Sequence, residues 1–131
     1  MAKELSKKAF SIIKKMQQNE LTESVIYTEI AKFAKGDVNK ETLLRLAKEE
    51  KAHYEIWKKY TGIEMKPETW KVLKYKFIAR VFGFTFAVKL MENGEENAQS
   101  EYELLVSEIP ESVIIREQEE EHEHALLEML D

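Results

Sequence analysis

Two Glu-x-x-His steps stand out in the sequence: Glu50 with His53, and Glu119 with His122. Residues three apart share one face of a helix. Each step can therefore bring a carboxylate and an imidazole to one point. Carboxylate oxygen and imidazole nitrogen together suit iron or manganese, with zinc as a substitute. The chain has no cysteine, which excludes thiolate zinc sites, iron–sulfur clusters, disulfides and cysteine nucleophiles.

The spacing alone discriminates little. Only Asp37 and Asp131 among the 25 acidic residues are Asp, so Glu is abundant. All three His, including His124 behind Glu121, follow a Glu by three. Placement discriminates better. Glu50 and His53 fall on the stripe Leu43, Leu46, Glu50, His53, Trp57, Tyr60. Glu119 and His122 fall on Ser112, Ile115, Glu119, His122, Leu126, Met129. The rival stripe Ile114, Glu117, Glu121, His124, Glu128 is mostly charged, so His124 is expected to face solvent.

Two more stripes carry acids. Glu20 and Glu23 interrupt Leu5, Ala9, Ile12, Met16, Tyr27, Ile30, Ala34, and Glu92 and Glu95 interrupt Val88, Gln99, Tyr102, Leu105. Unpaired buried carboxylates are expensive, and a pair of divalent cations would account for several at once. Glu20, Glu50, Glu95 and Glu119 carry −4 against the +4 of two such ions. Glu23 and Glu92 are further candidate ligands, a solvent-turned face being the alternative for them. Tyr27 and Tyr102 each follow a stripe Glu by seven, at Glu20 and Glu95. They suit core filling, with hydroxyls able to bond a ligand carboxylate.

The elements that must position these residues are helices. The first spans about Ala2 to Lys35 and stops at Gly36-Asp37; Asn39 is the expected N-cap of the second. That one runs to Thr61-Gly62. A third main helix is expected over about Phe84 to Ser107. Pro110 suits the first turn of the last. The connection from Gly62 to Gly83 is long, with a short helix expected around Glu68–Arg80 and a bend at Gly83. Depth agrees with a shared site: Glu20 lies about 16 residues before Gly36, with Glu50 and His53 about 14 to 17 after it, so at ~1.5 Å per residue the ligands are nearly level. The expectation is one all-α domain over residues 1–131, a four-helix bundle with a long crossover between helices 2 and 3.

The pattern Glu20…Tyr27…Glu50-x-x-His53…Glu95…Tyr102…Glu119-x-x-His122 resembles the ferritin-like di-iron carboxylate superfamily. It is most similar to rubrerythrin-like proteins, without their rubredoxin domain, and to ferritin-like domains associated with iron transporters. The resemblance implies a di-iron centre of two iron ions, with Glu50 and Glu119 bridging, Glu20 and Glu95 terminal, and His53 and His122 on one iron each. It implies reaction with peroxide or oxygen, with Tyr27 and Tyr102 as the catalytic candidates and a separate electron donor as partner. An iron carrier or sensor module without turnover, docking to a transporter or storage partner, is the alternative.

The net charge of −5 argues against general nucleic-acid binding. There is no signal-like N-terminus and no membrane-spanning run, so a cytoplasmic protein is expected. A homodimer is expected rather than a cage. The stretch from Trp70 to Phe82 is aromatic, aliphatic and basic. Burial across the bundle end or in a dimer contact is expected of it, with a membrane-surface helix as the alternative.

Overall fold

In the computed structural model the backbone is described for residues 5–93 and 99–129, with side chains outside 92–102. Helices account for nearly all of it, and no strand occurs among the described residues. Ser6 opens α1 (Lys7–Ile30): its hydroxyl accepts from the Ala9 amide at 3.2 Å and donates to Glu108 at 2.7 Å. This N-cap satisfies an amide that the first turn leaves without a partner. The helix stops short of Lys35, because the chain tightens into a 3-10 turn over Ala31–Phe33.

The start of α2 (Asp37–Thr61) corrects the expectation at Asn39. Gly36 is the N-cap, at φ 81°, a backbone conformation that glycine adopts without a Cβ clash. Asp37 puts negative charge in the first turn, where the helix dipole favours it. Asn39 lies inside that turn, and its amide donates to the Lys35 carbonyl at 3.2 Å. At the other end Gly62 caps the helix in the left-handed region, as the Thr61-Gly62 pair led us to expect.

The crossover is stitched to α1 and α2 by side chains. Gln17, fully buried, donates to the Ile63 carbonyl and accepts from Thr61. Gln18 donates to the Lys66 carbonyl, Thr22 accepts from the Glu68 amide, and Tyr54 accepts from the Met65 amide. These bonds fix where α3 (Thr69–Phe82) begins. Gly83 separates it from α4 (Phe84–Asn93), as expected. Of the third main helix expected over Phe84 to Ser107, α4 and α5 (Gln99–Glu108) are described, and residues 94–98 between them lie outside the described residues. Pro110 immediately precedes α6 (Glu111–Met129) and its carbonyl accepts from Val113.

Within the chain, Trp70–Phe82 is buried on one face. Ala79 is buried, and Val72, Tyr75 and Ile78 pack against the core. Trp70, Leu73, Phe77, Val81 and Phe82 are exposed.

α1 packs along α2, α3 and α5, while α6 packs on α2, α4 and α5. The apolar interior has two parts. One gathers Ile26, Ile30, Leu43, Leu46, Val88 and Leu126, and the other gathers Ala9, Ile13, Trp57, Leu105, Ile109 and Ile115. Along α1, α2 and α6 the polar residues Glu20, Glu50, His53 and His122 lie between these two sets, and all four are buried. No helix among the described residues is long and apolar enough to cross a membrane.

Candidate metal centre

Three helices converge on the buried acids. α1 presents Glu20, α2 presents Glu50 and His53, and α6 presents Glu119 and His122. The i, i+3 spacing puts each Glu-x-x-His pair on the inward face of its helix, and His124, two residues on, is exposed. One ligand atom each from Glu20, Glu50, His53 and Glu119 lie within 4.8 Å of one another. Nδ1 of His53 is 3.0 Å from Glu20 Oε1, 3.0 Å from Glu119 Oε1 and 3.4 Å from Glu50 Oε1. Nδ1 of His122 is 3.0 Å from Glu50 Oε1 and 3.8 Å from Glu119 Oε1. Glu50 and Glu119 thus lie within reach of both imidazoles.

The outer nitrogens are held from behind. His53 Nε2 meets the side-chain oxygen of Gln118, and His122 Nε2 meets Glu49 Oε1 at 2.6 Å. Both partners are oxygens, so each Nε2 carries a hydrogen and donates. That choice turns Nδ1 of both rings toward the acids, the usual way an outer hydrogen bond orients a ligating histidine. Glu20 is fixed in the same manner: the Trp57 indole N–H donates to its Oε2 while Oε1 faces His53.

One group of atoms is poorly satisfied. Both carboxylate oxygens of Glu50 and Nδ1 of His122 are buried without a hydrogen bond. The 3.0 Å approach between Glu50 and His122 is close enough for ion pairing but misaligned for a hydrogen bond. Buried polar atoms in that condition are uncommon and costly. A divalent cation would satisfy all three atoms, so the residues fit a metal.

Ionisation points the same way. Burial pushes Glu20 up to about 7, against the pull of its bond from His53. Burial and the neighbouring Glu50 charge push Glu119 well above its usual range. Burial opposes the charge on Glu50, but its contacts with His122, His53, Glu119 and Glu23 outweigh it and hold Glu50 well below normal. Burial likewise opposes charging His53 and His122, yet the surrounding carboxylates drive both upward. Protons shared over these groups balance the acids, as a bound cation would.

A second, more open group comprises Glu49, Glu121 and His122. Arg45 bridges it, reaching Glu121 at 2.8 and 3.0 Å and Glu49 at 3.2 Å. Its guanidinium already pairs with both carboxylates and offsets part of their charge, so the buried group is the better claimant for an ion.

Glu23 is half-buried on α1 and interacts with Glu50. It also lines a cleft of about 200 Å³ with Asn19, Thr22, Ile26, Lys71, Tyr75 and Met91. Tyr27 is buried in the apolar cluster with Ile26 and Ile30. Glu92 and Tyr102 belong to α4 and α5, but their side chains lie outside the described residues, and Glu95 does so entirely.

Sequence reasoning missed Gln118, Glu49 and Trp57 as partners of the cluster. Trp57 had a signal, four residues beyond His53 on the same stripe. Gln118 had none, being an exposed residue on a charged helix face. Comparison with family models, with curated proteins and with solved structures finds no match to this chain.

Proposed function

We propose that this chain is a ferritin-like four-helix bundle whose core binds two iron ions and reacts with peroxide or oxygen. One observation carries the reading. The Glu50 carboxylate stands between His53 Nδ1 and His122 Nδ1, with neither of its oxygens hydrogen-bonded. A carboxylate so placed is suited to bridge two ions, and Glu119 is suited to be the second bridge. His53 with Glu20 would complete one ion. His122 would serve the other, with Glu95, Glu92 and Glu23 as its further carboxylate candidates.

Two ferrous ions in this site would supply two electrons to an O–O bond. Reducing peroxide to two waters would consume those two electrons together with two protons, so a separate donor would have to return the electrons. The chain's own part is to hold and orient. Gln118 and Glu49 keep each Nδ1 turned inward, and Trp57 keeps one Glu20 oxygen from rotating away. The cleft lined by Glu23, which interacts with Glu50, is the proposed approach for a molecule as small as peroxide. Manganese or zinc could take the same ligands. Tyr27 and Tyr102 are proposed as neighbours of the reaction, through their hydroxyls, rather than as ligands.

Anaerobic titration with Fe²⁺, followed by metal counting and absorbance, tests this reading. About two equivalents are expected, with a ferric charge-transfer band appearing on addition of peroxide. Less than about 0.5 equivalents bound would end the metal reading. Two equivalents with no response to peroxide or oxygen would leave the alternative, an iron carrier or sensor, as the function.

A further inference from the structure

We propose that α3 is an interfacial helix that docks on an anionic lipid surface. Every third or fourth residue on its outer side is large and apolar: Trp70, Leu73, Phe77 and Val81. Each is more than half exposed, Trp70 at 61% and Phe77 at 62%. The inner side, Val72, Tyr75, Ile78 and Ala79, is already committed to the core. The stripe is therefore not one that the fold could bury by rotating the helix. It continues past Gly83 through the aromatic pair Phe82 and Phe86, whose ring centroids are 5.5 Å apart and which are both exposed. An apolar face of this extent on a surface helix marks an interaction site.

Charge selects the occupant. From Thr69 to Met91 the chain holds Lys71, Lys74, Lys76, Arg80 and Lys89 and not one acid, in a protein whose net charge is −5; Lys71 and Lys76 pair with Glu68 and Glu29 behind the stripe, which leaves Lys74 and Arg80 to set the charge at its edges. On a helical wheel Lys74 flanks the stripe on one side and Arg80 on the other. The Lys74 ammonium lies over the Trp70 ring, 5.8 Å from its centroid, so cation and indole share one edge of the face. A second copy of this chain docking through a two-fold axis would set the same patch against itself, and Lys74 and Arg80 would meet their own like charges. An anionic bilayer offers hydrocarbon to the stripe and negative headgroups to its rim. Helices with an apolar face, a cationic border and Trp or Phe at the surface lie in that interface.

The test is sedimentation of the intact protein with phosphatidylcholine vesicles that contain or lack phosphatidylglycerol, with tryptophan emission read alongside. Trp57 is fully buried, so a change in emission on docking reports Trp70. Binding is expected only with phosphatidylglycerol present, with a blue shift, and it should weaken as salt is raised. Phe77→Asp should weaken it about tenfold or more. The double variant Lys74→Glu with Arg80→Glu should do so by at least about tenfold. These residues are exposed, so both variants should keep the metal content of the parent. Equal binding to both vesicle types, or to neither, overturns the proposal. So does a stable dimer in ultracentrifugation that Phe77→Asp dissociates while the vesicles remain unbound, since the face would then be a self-contact.

Discussion

The imidazole rings of His53 on α2 and His122 on α6 stack in the core, with centroids 5.8 Å apart and planes inclined by 17°. Two cationic rings would repel at that distance. The acids between them, Glu50 above all, make the arrangement tolerable by charge, and a metal pair would make it useful. Each ring turns Nδ1 toward those acids and Nε2 toward an outer oxygen.

If Glu50 and Glu119 bridge, neither ion can be held well without them. The double variant Glu50→Ala with Glu119→Ala should bind less than about 0.5 equivalents of iron, against about two for the parent. Metal counting after Fe²⁺ loading and gel filtration checks this, with circular dichroism to show that the helices persist. Unchanged loading would place the site elsewhere.

On the proposed reading Gln118 and Glu49 would orient the rings through their bonds to Nε2 rather than bind metal. Gln118→Ala and Glu49→Ala should each weaken metal affinity by about 10-fold while leaving the number of ions unchanged. Competition against a chelator measures the first quantity and metal counting the second. Loss of one whole equivalent on Glu49→Ala would instead make Glu49 a ligand in the group it forms with Glu121 and His122.

Trp57 links the centre to the apolar cluster around Ile13 and Ile115. Trp57→Phe keeps most of the ring volume but leaves Glu20 Oε2 without its donor. The metal-free protein should lose about 1–3 kcal/mol in urea denaturation. In the parent, iron bound at Glu20 should quench the Trp57 emission, which a fluorescence titration would follow to the same end point as metal counting.

The cluster also sets a pH dependence. Glu20, at about 7, and Glu119, His53 and His122 all have raised values in the metal-free fold. Such groups keep protons that the unfolded chain releases. Their contribution is complete below the unfolded values, 4.5 for the carboxyls and 6.5 for the imidazoles, and is lost as pH rises through the folded ones. Glu50 is lowered, so its contribution is present above 4.5 and lost only in acid. Lowered surface carboxylates such as Glu121 beside Arg45 add nothing to the change between mildly acidic and mildly alkaline pH. The metal-free protein should therefore show a higher urea midpoint at about pH 5.5 than at about pH 8. Metal-loaded protein should show the reverse, since ligands must give up protons to bind. Equal midpoints for the metal-free form at both values would mean that the cluster carries no shifted protons.

Much of this was legible in the sequence, because a helix converts spacing into direction. Glu50, His53 and His122 sit on apolar stripes and are buried, whereas His124, two residues past His122, sits on a charged stripe and is exposed. Gly62 and Gly83 mark the ends of α2 and α3 because positive φ comes freely only to glycine. Asn39 misled because it competes with Gly36 three residues earlier, and cap propensity does not rank one site against its neighbour.

What the sequence by itself determined was the set of faces: which acids and histidines point inward on α1, α2 and α6. Tertiary structure alone decided how those faces meet. Periodicity along one helix carries no information about the rotation of an imidazole ring, which here depends on Gln118 and Glu49 across a helix interface. Nor could it choose the buried side of α3, where Trp70, Leu73, Phe77 and Val81 are as apolar as Val72, Tyr75, Ile78 and Ala79. The chain leading into α3 is anchored to Gln17, Gln18, Thr22 and Tyr54, and the aromatic, cation-edged face lies outside.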